Sequence, residues 1–80
     1  MEKLESVIID MVAERFKIEK EKVQPTSTFQ DLEIDSLAVV EFGLRLQETF
    51  DVAVEEDDFT ADMDIRAVAD VLSAKGAVAA

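Results

Sequence analysis

Few side chains in this 80-residue chain are suited to covalent chemistry. Cysteine and histidine are both absent, which removes Cys–His and Ser–His–Asp nucleophiles, thiolate or imidazole zinc sites and any disulfide framework. Hydroxyls remain, and the four serines are not equivalent. Ser6 lies within an apolar-periodic stretch, Ser27 within a turn-rich patch and Ser73 near the end of a last periodic segment, whereas Ser36 stands at the start of a helical pattern. A phosphate ester there would meet unsatisfied backbone N–H groups and the positive end of a helix dipole, a stabilisation of about 0.3–1 kcal/mol at an exposed site. Asp-Ser before an apolar run is also ordinary helix capping, and position alone does not choose between the two. The acidic residues give no calcium loop. An EF-hand loop begun at Asp57 or Asp58 lacks glycine at its sixth position and closes on Val68 or Ala69 where a Glu is needed.

The elements that must place Ser36 follow from the apolar spacing. Leu4, Val7, Ile8, Met11, Val12 and Phe16 predict a first helix over 3–16, with Glu5, Asp10, Glu14 and Arg15 between them. From Lys17 to Asp35 the period fades into a long loop holding Pro25, Thr26, Ser27 and Thr28, which Ile18, Val23, Phe29, Leu32 and Ile34 must pin. A second helix is expected over 36–50 with Asp35 as its N-cap. At 100° per residue, Val39, Phe42, Gly43, Leu46 and Phe50 share one face. Leu37, Val40 and Leu44 fall nearly opposite, beside Glu41 and Glu48. So small a domain covers one stripe more readily than two, so the second is expected to be a contact surface rimmed by carboxylates unless a later segment folds over it. After Phe50 one helical turn or so is expected. Asp64 then caps a last helix from Ile65 to about Ala74, with Gly76 as its stop. The whole predicts one domain, 1–80, with an all-α fold: a small four-helix bundle of three main helices and one short one.

Eight basic and nineteen acidic residues leave a net charge of −11. The excess is uneven, with five basic and six acidic residues in 1–25 and three and thirteen in 26–80. Such a field repels nucleic acid and anionic membranes, so basic partner surfaces are expected to approach the later part. An acidic balance also confers plain solubility. No basic start leads into an unbroken apolar run at the N-terminus, and a soluble cytoplasmic protein is expected.

The segment Asp31-Leu32-Glu33-Ile34-Asp35-Ser36-Leu37, followed by Val40-Glu41-Phe42, Leu46 and Glu48-Thr49-Phe50, resembles the acyl carrier proteins. The likeness extends to the first helix, the loop with Phe29, the acidic run Glu55-Glu56-Asp57-Asp58 and the closing helix, nearly the whole chain. It implies a monomeric carrier without catalytic activity. Its serine, Ser36 here, receives 4'-phosphopantetheine from coenzyme A through a phosphopantetheinyl transferase, and the thiol of that arm holds acyl groups as thioesters. It also implies docking of acyltransferases, ketosynthases or other acyl-processing enzymes of fatty acid or polyketide synthesis, through basic surfaces, onto Asp35, Leu37, Val40, Glu41, Leu44 and Glu48, with Glu56 and Asp57 alongside. Family members often shelter the attached chain between helices, and Gly43 leaves such room or serves close helix packing.

Three positions depart from the family pattern. Glu33 replaces a frequent glycine two residues before Asp35-Ser36, Arg45 adds a positive charge near the docking face, and Val54-Glu55 lacks a frequent proline. They hint at a dedicated partner set. The surroundings of Phe59 also resemble those in discrete carriers of amino acids or unusual short acyl units. Two alternatives stand beside the acyl carrier: an aminoacyl or peptidyl carrier loaded by an adenylating enzyme, against which Asp35 argues, and an acidic interaction module without a prosthetic group.

Overall fold

Three helices form where the apolar spacing places them. The computed structural model describes residues 3–78 and contains α1 (Lys3–Phe16), α2 (Ser36–Phe50) and α3 (Ile65–Ala74), joined by loops. No strand occurs among the described residues, only an isolated antiparallel bridge between Thr28 and Asp64. No helix there is long and apolar enough to cross a membrane. The short helical element expected after Phe50 takes the form of a hydrogen-bonded turn. The Asp58 N–H donates to the Glu55 carbonyl at 3.1 Å, and the Asp58 carboxylate accepts from the Glu55 N–H at 2.7 Å. A side chain that bonds its own backbone in this way competes with helix continuation. A short 3-10 turn sits instead at Lys20–Lys22, within the first loop.

The core joins Ile8, Ile9 and Val12 of α1 to Val39, Phe42 and Leu46 of α2 and Ile65, Val68 and Leu72 of α3, all buried. On α1 the buried arc is Glu5, Ile8, Ile9 and Val12, while Leu4, Val7, Met11 and Phe16 are half-buried. The expected stripe is therefore rotated toward Ile9 and Glu5. An apolar arc this wide fits either flank, and the close approach of α3 decides which one is covered. Glu5 lies in the first turn, where a negative charge suits the helix dipole. The α2 backbone stands farther off, and its long side chains bridge the gap. The Phe42 ring centroid lies 5.8 Å from Phe16 and 6.0 Å from Phe29, the latter edge to face.

The long first loop is fixed by the segment that precedes α3. Phe29 N–H donates to the Met63 carbonyl and Gln30 N–H to the Ala61 carbonyl; in return Ile65 N–H reaches the Ser27 carbonyl and Arg66 N–H the Pro25 carbonyl. Buried Val23, Phe29 and Ile34 then anchor it from within, as their isolated apolar character leads one to expect.

The loop after α2 is tied to the end of α3 by the Lys75 ammonium, 2.8 Å from the Asp58 carboxylate. Lys75 first, and the Glu55 N–H second, hold the Asp58 pKa below the usual carboxylate range. A lowered folded-state pKa stabilises the fold above the unfolded value and loses that contribution as pH falls through the folded one. For a partly exposed pair it amounts to about 0.5–1 kcal/mol. Urea denaturation of wild type and Asp58→Asn is expected to differ by that amount at neutral pH, with the gap closing as the pH falls below the usual carboxylate range.

Candidate functional site

Ser36 owes its place to the turn before it. Residues 29–34 close like a helix end: Ile34 N–H donates to the Phe29 carbonyl at 2.9 Å and Glu33 N–H to the Gln30 carbonyl at 3.0 Å. Glu33 between them has φ 61°. This is a Schellman arrangement, with Phe29 and Ile34 making the accompanying buried apolar anchor. The departure at Glu33 thus leaves the loop geometry intact, and a non-glycine side chain takes up the left-handed conformation.

Asp35 then caps α2. Its backbone is extended (φ −78°, ψ 171°), its carboxylate accepts from the Ala38 N–H at 2.8 Å and its carbonyl from the Val39 N–H at 3.0 Å. The N–H groups of Ser36 and Leu37 make no hydrogen bond to a described residue, nor does the exposed Ser36 hydroxyl. An accessible hydroxyl beside two unused donors at a helix start fits a phosphodiester. The other serines fit less well. Ser6 is half-buried in α1, the Ser27 hydroxyl oxygen already accepts from the Gln24 N–H, and Ser73 lies at the C-terminal, negative end of α3.

One surface of α2 continues from Ser36. Leu37 is 69% exposed and Leu44 53%, large values for leucines in a folded domain. Glu41 and Glu48 are exposed on the same face, while Val40 is half-buried at its edge. This brings together the second apolar stripe and its carboxylates. Glu56 and Asp57 are exposed in the turn after α2, and of the two only Glu56 joins the lining of a groove beside Val40 and Leu44. Asp35 is spent on its own cap, so its contribution toward a partner is charge at the rim.

That groove, of about 250 Å³, is mostly apolar, with Val39, Gly43, Val54 and Phe59 as its inner wall. A side-chain carbon added at Gly43 would meet Phe59 Cδ2 at 3.2 Å and Val54 Cγ1 at 3.5 Å. The close contact at Gly43 is thus with side chains of the loop after α2 and not with another helix: the glycine lets the Phe59 ring lie on α2, next to the groove. The Gly43–Phe59 pairing spans a loop and carries no local signal; only the glycine in mid-helix marks one partner. Among the described residues no cluster of acidic side chains is placed to hold a metal.

Comparison with known proteins gives the same direction. Residues 6–72 match the family model described as the phosphopantetheine attachment site. The chain is 38% identical over 58 residues to an acyl carrier protein of Lactobacillus johnsonii, 71% of this chain and 72% of that one. It is 33% identical over 67 residues to one of Syntrophobacter fumaroxidans, 82% of this chain and 83% of the other. It is also 32% identical over 73 residues to one of Syntrophus aciditrophicus, 90% and 91% of the two chains. No solved structure matches significantly.

The strain at Glu33 is measurable. Glu33→Gly relieves a left-handed cost of about 1–2 kcal/mol and loses about 0.5–1 kcal/mol to the freer unfolded chain. The expected outcome is a net gain of about 0.5–1 kcal/mol in urea denaturation, with the α2 amide spectrum unchanged.

Proposed function

The chain belongs to the acyl carrier protein family, and from that premise we propose that Ser36 carries its prosthetic group and that the exposed face of α2 docks the enzymes that load and use it. Like other members it is a carrier and not a catalyst, with covalently attached 4'-phosphopantetheine. That group supplies the terminal thiol on which acyl units are held as thioesters, chemistry that a chain without cysteine has no side chain to perform.

The observation that carries the assignment is the contrast among the serines: Ser36 is exposed, unbonded to any described residue and at the start of a helix. A phosphopantetheinyl transferase esterifies it with coenzyme A as donor. On this reading the unused Ser36 and Leu37 N–H groups receive the phosphate, and the Asp35 carboxylate caps the same turn by accepting from the Ala38 N–H. Leu37 and Leu44 offer apolar contact at the centre of the docking face, while Asp35, Glu41, Glu48, Glu56 and Asp57 supply the negative rim that steers a basic partner. Partners of this kind are the acyltransferases, ketosynthases and related enzymes of fatty acid or polyketide synthesis.

Incubation of wild type and Ser36→Ala with coenzyme A and a broad-specificity phosphopantetheinyl transferase, read by intact-protein mass, tests the assignment. Wild type is expected to gain one phosphopantetheine and the variant none. A gain by Ser36→Ala, or none by folded wild type while a known carrier is modified in parallel, contradicts it.

A further inference from the structure

A second groove lies between α1 and α2, and two of the chain's eight basic residues stand on its rim. It measures about 390 Å³, and half-buried Val7 and Met11 with buried Phe42 make its apolar floor. Arg15 of α1 and Arg45 of α2 line it, both exposed. Arg45 falls about 100° round α2 from Leu44, on the side away from Val40, so the two grooves flank the leucine face. Lys20, Lys22 and Lys75 each find a carboxylate, at 2.7, 3.7 and 2.8 Å. Neither arginine of the groove forms an ion pair with a described residue, although Glu41 and Glu48 stand one turn to either side of Arg45. Arg15 sits in the last turn of α1, where a cation suits the helix dipole, but Arg45 is in the middle of α2 and has no such role.

Two unpaired guanidinium groups beside an apolar floor suit a carboxylate-bearing protein surface. Arginine takes a carboxylate through two parallel N–H···O bonds, and arginine, methionine and aromatic residues are enriched in interfaces. We infer that this groove docks an acidic amphipathic segment of a partner protein, whose apolar side chains enter over Val7, Met11 and Phe42 and whose carboxylates meet Arg15 and Arg45. The inference goes beyond the carrier reading and needs neither Ser36 nor its prosthetic group. A cavity of about 150 Å³ holds benzene, so a groove of about 390 Å³ seats roughly two large side chains. Charge selects the occupant. A basic segment would set its cations against both arginines and has the carboxylate-rimmed leucine face beside it instead. Glu14, also on the rim, is one carboxylate against two guanidinium groups. A second copy of the chain is disfavoured, because two molecules of net charge −11 repel each other. An acidic segment meets less of that repulsion on the α1 side, where residues 1–25 hold five basic and six acidic side chains and charges beyond about 8 Å are largely screened at physiological salt.

The test titrates the isotope-labelled full chain with a synthetic helical peptide that carries leucines on one face and glutamates along both edges of that face, read by amide NMR. A second peptide has lysine for every glutamate. The glutamate peptide is expected to shift the Val7, Met11, Phe42 and Thr49 amides saturably, and the lysine peptide to leave them in place. Arg15→Gln and Arg45→Gln remove exposed charges, so the fold should persist with an otherwise unchanged amide spectrum, and each should weaken the glutamate peptide about tenfold. Glu14→Gln removes the opposing carboxylate and should tighten it about two- to fivefold. The inference is overturned by the absence of a saturable shift in the groove up to about 1 mM glutamate peptide. It is equally overturned by the same groove shifts with the lysine peptide, or by an affinity that both arginine variants retain. Groove shifts that appear on concentrating the protein alone identify a second copy as the occupant and overturn the assignment to a partner.

Discussion

Phe29 holds the molecule's longest loop to everything else. Its N–H donates to Met63, its carbonyl receives Leu32 and Ile34, and its buried ring meets Phe42 edge to face. One residue thus joins the segment before α3, the turn that ends at Asp35 and the inner face of α2. The position of Ser36 follows from those bonds, because only a turn closed between Phe29 and Ile34 delivers an extended Asp35 from which α2 can start. The left-handed Glu33 is tolerated since buried side chains on both sides of it leave the backbone no alternative.

The small size of the domain explains the rest of the site. Three short helices enclose one core, and α2 meets it with Val39, Phe42 and Leu46 only. Its opposite stripe stays in water, where Leu37 and Leu44 would be a liability without a partner to cover them. Carboxylates rim that stripe, and thirteen acidic against three basic residues after position 25 give this part of the chain a strongly negative field, which under the proposed reading favours basic partners. The loop after α2 leans over one edge, enough to half-bury Val40 and form a groove, but leaves the two leucines free.

Much of this was legible in the sequence because it is local. Helix limits, the caps at Asp35 and Asp64 and the two stripes of α2 depend on residues within a turn or two of one another, and each is where spacing puts it. Glu5 and Ile9 were not legible as inward positions, since α1 is apolar over an arc wide enough for either flank and the choice belongs to α3. The turn at Glu55–Asp58 in place of a regular short helix depends on a side-chain bond and an ion pair to Lys75, seventeen residues on. Phe59 on Gly43 is likewise a tertiary fact. The Asp35-Ser36 pair by itself fits plain capping as well as esterification; Ser36 differs from half-buried Ser6, from Ser27, whose oxygen accepts from the Gln24 N–H, and from Ser73 at the end of α3 by standing exposed at a helix start beside unused N–H groups.

The central claim is that the start of α2 is the anchoring point, and amide NMR of the same sample before and after phosphopantetheine loading tests it most directly. The account predicts the largest shift changes at the Ser36 and Leu37 amides, with smaller ones along α2, and none centred on α1 or the end of α3. Changes centred on Ser6, Ser27 or Ser73, or a loaded protein whose Ser36 and Leu37 amides do not move, would contradict it.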